Sequence, residues 1–374
     1  MLEADIRKRL GDVEEHLIGS VATETPLVSE AGAYLLAAGG KRFRPMLVLL
    51  GGHFGDPTDP RLVPLAVAVE LTHLASLYHD DVIDEADSRR GIPSVNARWN
   101  NTVAILAGDF LFARASAIAA ELGTDVSRLL ATTIGRVCEG QIREVQAAGR
   151  LEIDENDYMA VIERKTASLI ATSCQVGGLL AGASPEVVES LGRFGIALGL
   201  AFQLSDDIMD LVSDESTLGK QPGVDLREGV LTLPVILALR ESEHRDELQG
   251  LLRAEQPDEG NLRRALEIVR ADGALGGARQ AVTREVRRAL SEGERLPEGS
   301  AREALLHLAE FLAALLQLLT AGLTLLGRDE SGGPRDDASR IWRVRVADDS
   351  DRSREVEEAL TSAVRDAAVA IRKS

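Results

Sequence analysis

An all-α fold is predicted, and three observations carry the prediction. Ala, Leu, Glu and Arg dominate the chain, and all are strong helix formers. Alternating β-branched runs, the mark of a half-buried strand, are rare. Aromatic residues make up only 3% of the sequence, which disfavours a sandwich or barrel and also a base-stacking surface.

The elements read in order. Pro45–Leu50 is a short apolar run that would pass for a strand alone, but it joins a long Ala/Leu/Val context. Residues 62–85 form one periodic stretch, with Pro64 suited to an early helical position. Further helices are expected over 102–122, 127–149, 155–181, 186–212 and 232–240, with shorter ones to about 327. Gly/Pro clusters at Gly51–Pro60, Gly91–Pro93, Gly182–Pro185 and Gly219–Gly223 read as loops. No repeat recurs at a fixed period. Arg328–Ser339 reads as a linker, so 1–327 is expected to be one helical domain and 328–374 a linker and tail. Within that tail Ile341–Val346 alternates apolar and basic, and Arg354–Ile371 reads as a short amphipathic helix. Phe311–Gly327 contains no charge; it reads as a buried or partner-packed helix, with peripheral membrane contact as the alternative.

Composition narrows the function. Of 374 residues, 45% are apolar and 27% charged, enough for a sizeable core. Lys and Arg total 42 against 60 Asp and Glu, a net charge of −18, which argues against a general nucleic-acid binder. The two cysteines, Cys138 and Cys174, rule out a disulfide framework and fit a reducing, cytoplasmic location. The charged N-terminal residues lack a following apolar core, so no signal peptide is read there.

Two Asp-rich segments give the strongest chemical signal. His79-Asp80-Asp81-Val82-Ile83-Asp84 is followed by Arg89-Arg90-Gly91, and Phe202-Gln203-Leu204-Ser205-Asp206-Asp207-Ile208-Met209-Asp210 repeats the Asp pattern. Asp80 and Asp84 share a helix face, as do Asp206 and Asp210. Each motif ends an apolar stretch, where crowded carboxylates repel and lose hydration. A divalent cation relieves that conflict. Oxygen-only ligands favour Mg2+, which takes one or two carboxylates plus phosphate oxygens. One such motif alone is more often an exposed acidic helix end. Two, each behind an apolar helix, make that reading a poor one.

Basic residues form a second signal. Gly39-Gly40-Lys41-Arg42-Phe43-Arg44-Pro45 is a glycine-flanked cationic turn, and Arg164-Lys165-Thr166 and Gly219-Lys220 add more cations. Each alone reads as solvated charge. Beside the carboxylates they describe a site for diphosphate esters, one held through metal and another by Lys and Arg directly. No P-loop motif is present. His73 and His79, taken alone, read as core histidines.

At these residues the chain resembles the trans-isoprenyl diphosphate synthase family over roughly residues 20–315. The matching segments are GGKRFRP (39–45), HLASLYHDDVID (73–84), RRG (89–91), CEGQ (138–141), RKTASLI (164–170), FQLSDDIMD (202–210), LGKQPGVDLREG (218–229) and TLP (232–234). The resemblance implies an isoprenoid-synthase-like helical bundle around a central cavity, usually a homodimer. It implies a prenyltransferase that joins isopentenyl diphosphate to an allylic prenyl diphosphate. In the family pattern Asp80, Asp84 and Asp206 would ligate Mg2+ on the allylic diphosphate, with Asp81, Asp207 and Asp210 in direct or indirect support. Arg89, Lys165 and Lys220 would hold that diphosphate. Thr166 and Gln203 would face the developing allylic cation. Lys41, Arg44, His73 and Arg90 would bind isopentenyl diphosphate. His79, beside Asp80, reads as structural on its own position.

Product length in the family is limited by bulky residues one turn before the first Asp. Ala75, Ser76 and Thr72 are small here, which implies an open wall and a product of about C30–C50, with C20 as the alternative. Tyr78 should point away from that wall, and Phe110 or Phe112 is expected to supply the floor. A non-catalytic subunit of a heteromeric synthase would have lost the Asp pairs. A terpene cyclase would not need Lys41, Arg44 or Arg90.

Overall fold

The computed structural model describes residues 2–212, 222–253, 259–271, 273–320, 323–326 and 343–346, with side chains as far as 314. Lys220, the linker at Arg328–Ser339 and the helix read at Arg354–Ile371 lie outside the described residues.

Two helices precede the first motif, α1 (Leu2–Ser20) and α2 (Pro26–Ala37). The site is built on α3 (Phe43–Gly52), α4 (Leu62–Ile83), α5 (Val95–Arg98), α6 (Asn101–Leu122), α7 (Thr124–Ala147), α8 (Glu155–Ile162), α9 (Ser168–Leu180) and α10 (Pro185–Val212). A second group follows: α11 (Val224–Arg227), α12 (Leu233–Glu241), α13 (Arg245–Leu252), α14 (Glu259–Ala271), α15 (Ala274–Gly293) and α16 (Ser300–Thr320). Side-chain caps start several of them: Ser94, Asn100 and Asp154 each accept a backbone N–H three residues on. Pro26 and Pro234 sit in first turns, where a missing N–H does no harm.

The central rods are α4 and α10. α4 packs on α6 and α3, and α10 packs on α9 and α15. Leu65, Leu71 and Leu74 of α4 and Phe194 and Leu198 of α10 are fully buried. Each such side chain contributes about 1.5–3 kcal/mol relative to exposure. A rod packed on all sides must be apolar all round. Both are therefore long and apolar enough to cross a membrane by length and composition, and so is α6. The first two bury 72% and 61% of that stretch; α6 buries only 33%.

Pro45–Leu50 is helical, inside α3, in keeping with its Ala/Leu/Val context, while three sequence expectations change. The loop at Gly91–Pro93 closes a small antiparallel hairpin, with Ser88–Arg89 (β1) paired to Ile92–Pro93 (β2). The stretch 155–181 is divided by a π turn at Glu163–Ala167. The charge-free run from Phe311 is helix only to Thr320, after which Leu323–Leu326 (β3) pairs antiparallel with Arg343–Val346 (β4). Glycines at 322 and 327 bracket β3, and glycine is a poor helix residue.

Candidate active site

The C-terminal end of α4 opens the site. The Asp84 N–H donates to the Asp80 carbonyl at 2.8 Å, which closes the last turn and stacks the two residues. Burial pushes the Asp80 carboxyl up to about 6; Asp84 and Glu144 add to the rise while Lys165 opposes it. Asp81 is fully buried instead, and its Oδ1 accepts from Arg89 Nε at 2.7 Å. Asp81 thereby fixes the Arg89 guanidinium at the edge of the site.

The π turn supplies the next wall. Neighbouring helices press on it closely: a Cβ at Gly140 of α7 would lie 2.6 Å from Lys165 N, and one at Gly199 of α10 would lie 2.5 Å from Ala167 Cα. Only glycine permits that approach. The turn carries Lys165 and Thr166, and π turns often mark functional segments. Lys165 Nζ pairs with Glu144 of α7. Burial works against the ammonium, but Glu144 and Asp80 outweigh it and hold Lys165 charged.

Opposite stands α10. The Thr166 hydroxyl donates to Gln203 Oε1 at 2.8 Å, and Gln203 Nε2 donates to Asp207 Oδ1 at 2.8 Å. The Tyr158 hydroxyl of α8 donates to Asp207 Oδ2. Burial pushes Asp207 up to about 6 despite those donors. Asp206 is pushed up to about 7 by burial and then by Asp207, with Lys41 and Arg44 opposing. Asp210 accepts from the N–H groups of Val224 and Asp225 at 3.2 and 3.3 Å and so anchors the start of α11.

The cationic turn lies beside Asp206. Arg42 has a left-handed backbone, φ 46°, and its buried guanidinium donates to Glu14 at 2.5 and 3.0 Å and to Glu70 at 3.1 Å. Phe43 stacks on Phe202 with ring centroids 5.7 Å apart, tying the turn to α10. Arg44 is pushed down to about 10 by burial, and its buried Nε has no hydrogen-bond partner. Arg90 donates to the Leu35 carbonyl at 2.9 Å and also contacts the Gly39 carbonyl. Burial, and then Arg44, Arg90, Arg89 and Arg42, hold His73 well below the usual imidazole range, so it is neutral. Crowded guanidiniums with an unpartnered donor fit an anionic ligand.

Lys41, Arg44, His73, Asp80, Asp84, Arg89, Arg90, Lys165, Thr166, Gln203, Asp206 and Asp207, all predicted from the sequence, are thus linked in one charged cluster: Glu144 acts on Asp80, Lys165 and Asp207, and Arg44 on Asp206 and His73. His79 is structural: Nε2 lies 3.1 Å from the Ile105 carbonyl and its ring sits 5.6 Å from that of Phe112. Among the described residues no three His, Cys, Asp or Glu side chains form a ready-made metal cluster. Half-buried Asp80 and Asp206, with exposed Asp84 one turn after Asp80, instead suit divalent ions completed by phosphate oxygens. Glu70, Glu144, Tyr158 and Asp225 also face the site, and sequence reasoning missed them. Asp225 is pushed up to about 8 by burial and by Asp207 and Asp210. Glu144 lies four residues after the glycine of CEGQ and Tyr158 seven before Lys165, the only sequence signals they offer.

On the α4 wall Thr72 and Ala75 are buried and Ser76 is half-buried. The Tyr78 hydroxyl donates to the Ala31 carbonyl at 2.6 Å, turned towards α2. Phe110 lies against Gly32 of α2, whereas Phe112 lies against His79.

Residues 25–269 match the family model described as polyprenyl synthetase. The chain belongs to that family. As a polyprenyl synthetase it is a prenyltransferase with the all-α isoprenoid-synthase fold. It is 40% identical to nonaprenyl diphosphate synthase of Mycobacterium tuberculosis over 310 residues, 82% of this chain and 92% of that one. A decaprenyl diphosphate synthase structure from Rhodobacter capsulatus superposes with TM-score 0.79 at 34% identity, covering 84% of this polyprenyl synthetase and 98% of that chain. Geranylgeranyl pyrophosphate synthase from Corynebacterium glutamicum, solved with calcium and isoprenyl diphosphate, gives TM-score 0.74 at 41% identity over 84% and 96% of the two chains.

Proposed function

We propose that this polyprenyl synthetase condenses isopentenyl diphosphate with an allylic prenyl diphosphate to give an all-trans product of about C30–C50. One observation carries the reading. Two Asp motifs far apart in sequence share the same charged neighbours: Glu144 acts on both Asp80 and Asp207, and both Asp84 and Asp210 act on Glu228.

Asp80, Asp84 and Asp206 would hold Mg2+ together with the allylic diphosphate. The bound ions would neutralise charge growing on the leaving diphosphate. Lys165 and Arg89 would bind the same group, a role that the family pattern also gives to Lys220. Thr166 and Gln203 present oxygens to the allylic carbon as it becomes cationic. Lys41, Arg44, neutral His73 and Arg90 hold isopentenyl diphosphate with its double bond in reach of that carbon, which replaces a bimolecular encounter. The released diphosphate takes the final proton.

Product length rests on the small side chains of Thr72, Ala75 and Ser76, and the nonaprenyl and decaprenyl relatives support the longer range. The geranylgeranyl relative keeps a C20 product as the second reading. The exposed apolar residues Ile105, Leu106, Ile142 and Val145 on α6 and α7 support a homodimer through that face. Free thiols at Cys138 and Cys174 support work in a reducing, cytoplasmic compartment.

The test is elongation by the purified chain with Mg2+, isopentenyl diphosphate and farnesyl or geranylgeranyl diphosphate, products sized by mass. A ladder reaching C30 or beyond is expected. A stop at C20 overturns the length assignment, and no elongation overturns the reading itself.

A further inference from the structure

We propose that Tyr158 and Asp207 are positioning residues that fix the Gln203 amide so that its carbonyl oxygen, beside the Thr166 hydroxyl, faces the allylic carbon. The inference rests on the function proposed above and adds two residues to its machinery.

Asp206 and Asp207 are sequence neighbours with different surroundings. Asp206 feels Lys41 and Arg44. Asp207 is buried, and both its oxygens accept bonds from this chain: Oδ1 from Gln203 Nε2 and Oδ2 from the Tyr158 hydroxyl. With Oδ2 held by Tyr158, Oδ1 takes the NH2 end of the Gln203 amide at 2.8 Å, which turns the carbonyl end towards Thr166. The Thr166 hydroxyl spends its single proton on Oε1, at 2.8 Å, and keeps its lone pairs outward.

The opposite amide orientation would aim N–H donors at a carbon gaining positive charge. It would also set two oxygens against each other at Asp207. Tyr158 guards against this from a distance. Its hydroxyl occupies Oδ2, so the carboxylate cannot rotate away from Gln203 without unpairing a buried group. Tyr158 lies in α8, ahead of the π turn, and its hydroxyl reaches the site through Asp207.

A double-mutant cycle tests this. Kinetics are measured for wild type, Tyr158→Phe, Gln203→Ala and the double variant. Tyr158→Phe is expected to lower kcat about 10–100-fold, the range for residues that orient a reacting group. KM for both diphosphates and the Mg2+ concentration for half activity should stay within about twofold. In the Gln203→Ala background the added Tyr158→Phe should lower kcat no further. A Tyr158→Phe enzyme with wild-type kcat overturns the proposal. So does an equal loss in both backgrounds, because the two residues would then act independently. If Tyr158→Phe loses its helical circular dichroism, Asp207→Asn takes its place in the same cycle, read on kcat alone, with the same expected loss and the same overturning results. Failure of wild type to elongate would count against the proposed function instead.

Discussion

Asp80 and Asp206 carry carboxyl groups raised to about 6 and about 7, with burial the first cause in each. A raised value means that the folded chain holds a proton which the unfolded chain has lost. Their contribution to stability is present below the ordinary carboxylate range and disappears as pH rises through 6 to 7. A metal that replaces those protons should therefore stabilise more in alkali. Mg2+ with a diphosphate ligand is expected to raise the thermal midpoint more at about pH 8 than at about pH 5.5, and equal gains would contradict the assignment. Glu70 makes a second case. Its loss removes one of the two carboxylates that hold the buried Arg42, so Glu70→Ala should cost about 3 kcal/mol in a urea melt. The Asp motifs and the cationic turn are legible in the sequence because charge inside apolar segments is conspicuous. Glu144 and Tyr158 are not, since their meaning lies in contacts between helices that no spacing encodes.

The π turn shows what an element-level reading can and cannot reach. Residues 155–181 carry a continuous helical signature, and the chain is helical there. Nothing in the residues Glu163–Ala167 announces the widened turn, because its cause lies outside them, in the close backbones of α7 and α10. Gly140→Ala is therefore expected to force those backbones apart. It should lower stability by about 1–3 kcal/mol and impair activity by displacing Lys165, both measurable on one purified variant. The α4 wall carries a separate expectation. Ser76→Phe fills the space beside the small residues and should shift the product ladder to shorter chains while the fold stays intact. An unchanged ladder would mean that another element sets the length.

At the scale of the molecule, α6 and α7 leave Leu106 and Ile142 largely exposed. If that face meets a second copy, Leu106→Glu combined with Ile142→Glu should give a monomer by light scattering, where the parent chain gives a dimer. The all-α class is legible from composition, whereas the packing order is not, because apolar rods look alike until their partners are known. That likeness has a consequence for biosynthesis. α4 can cover itself early, since α3 precedes it and α6 follows after only the hairpin and α5. α10 ends at Val212, but α15, one of its main partners, begins only at Ala274. A ribosome must deliver all the intervening chain before that side of α10 is covered, while an oily rod of membrane-spanning length waits in water. The second half of this protein is where chaperones, or an inserting membrane, have their opportunity.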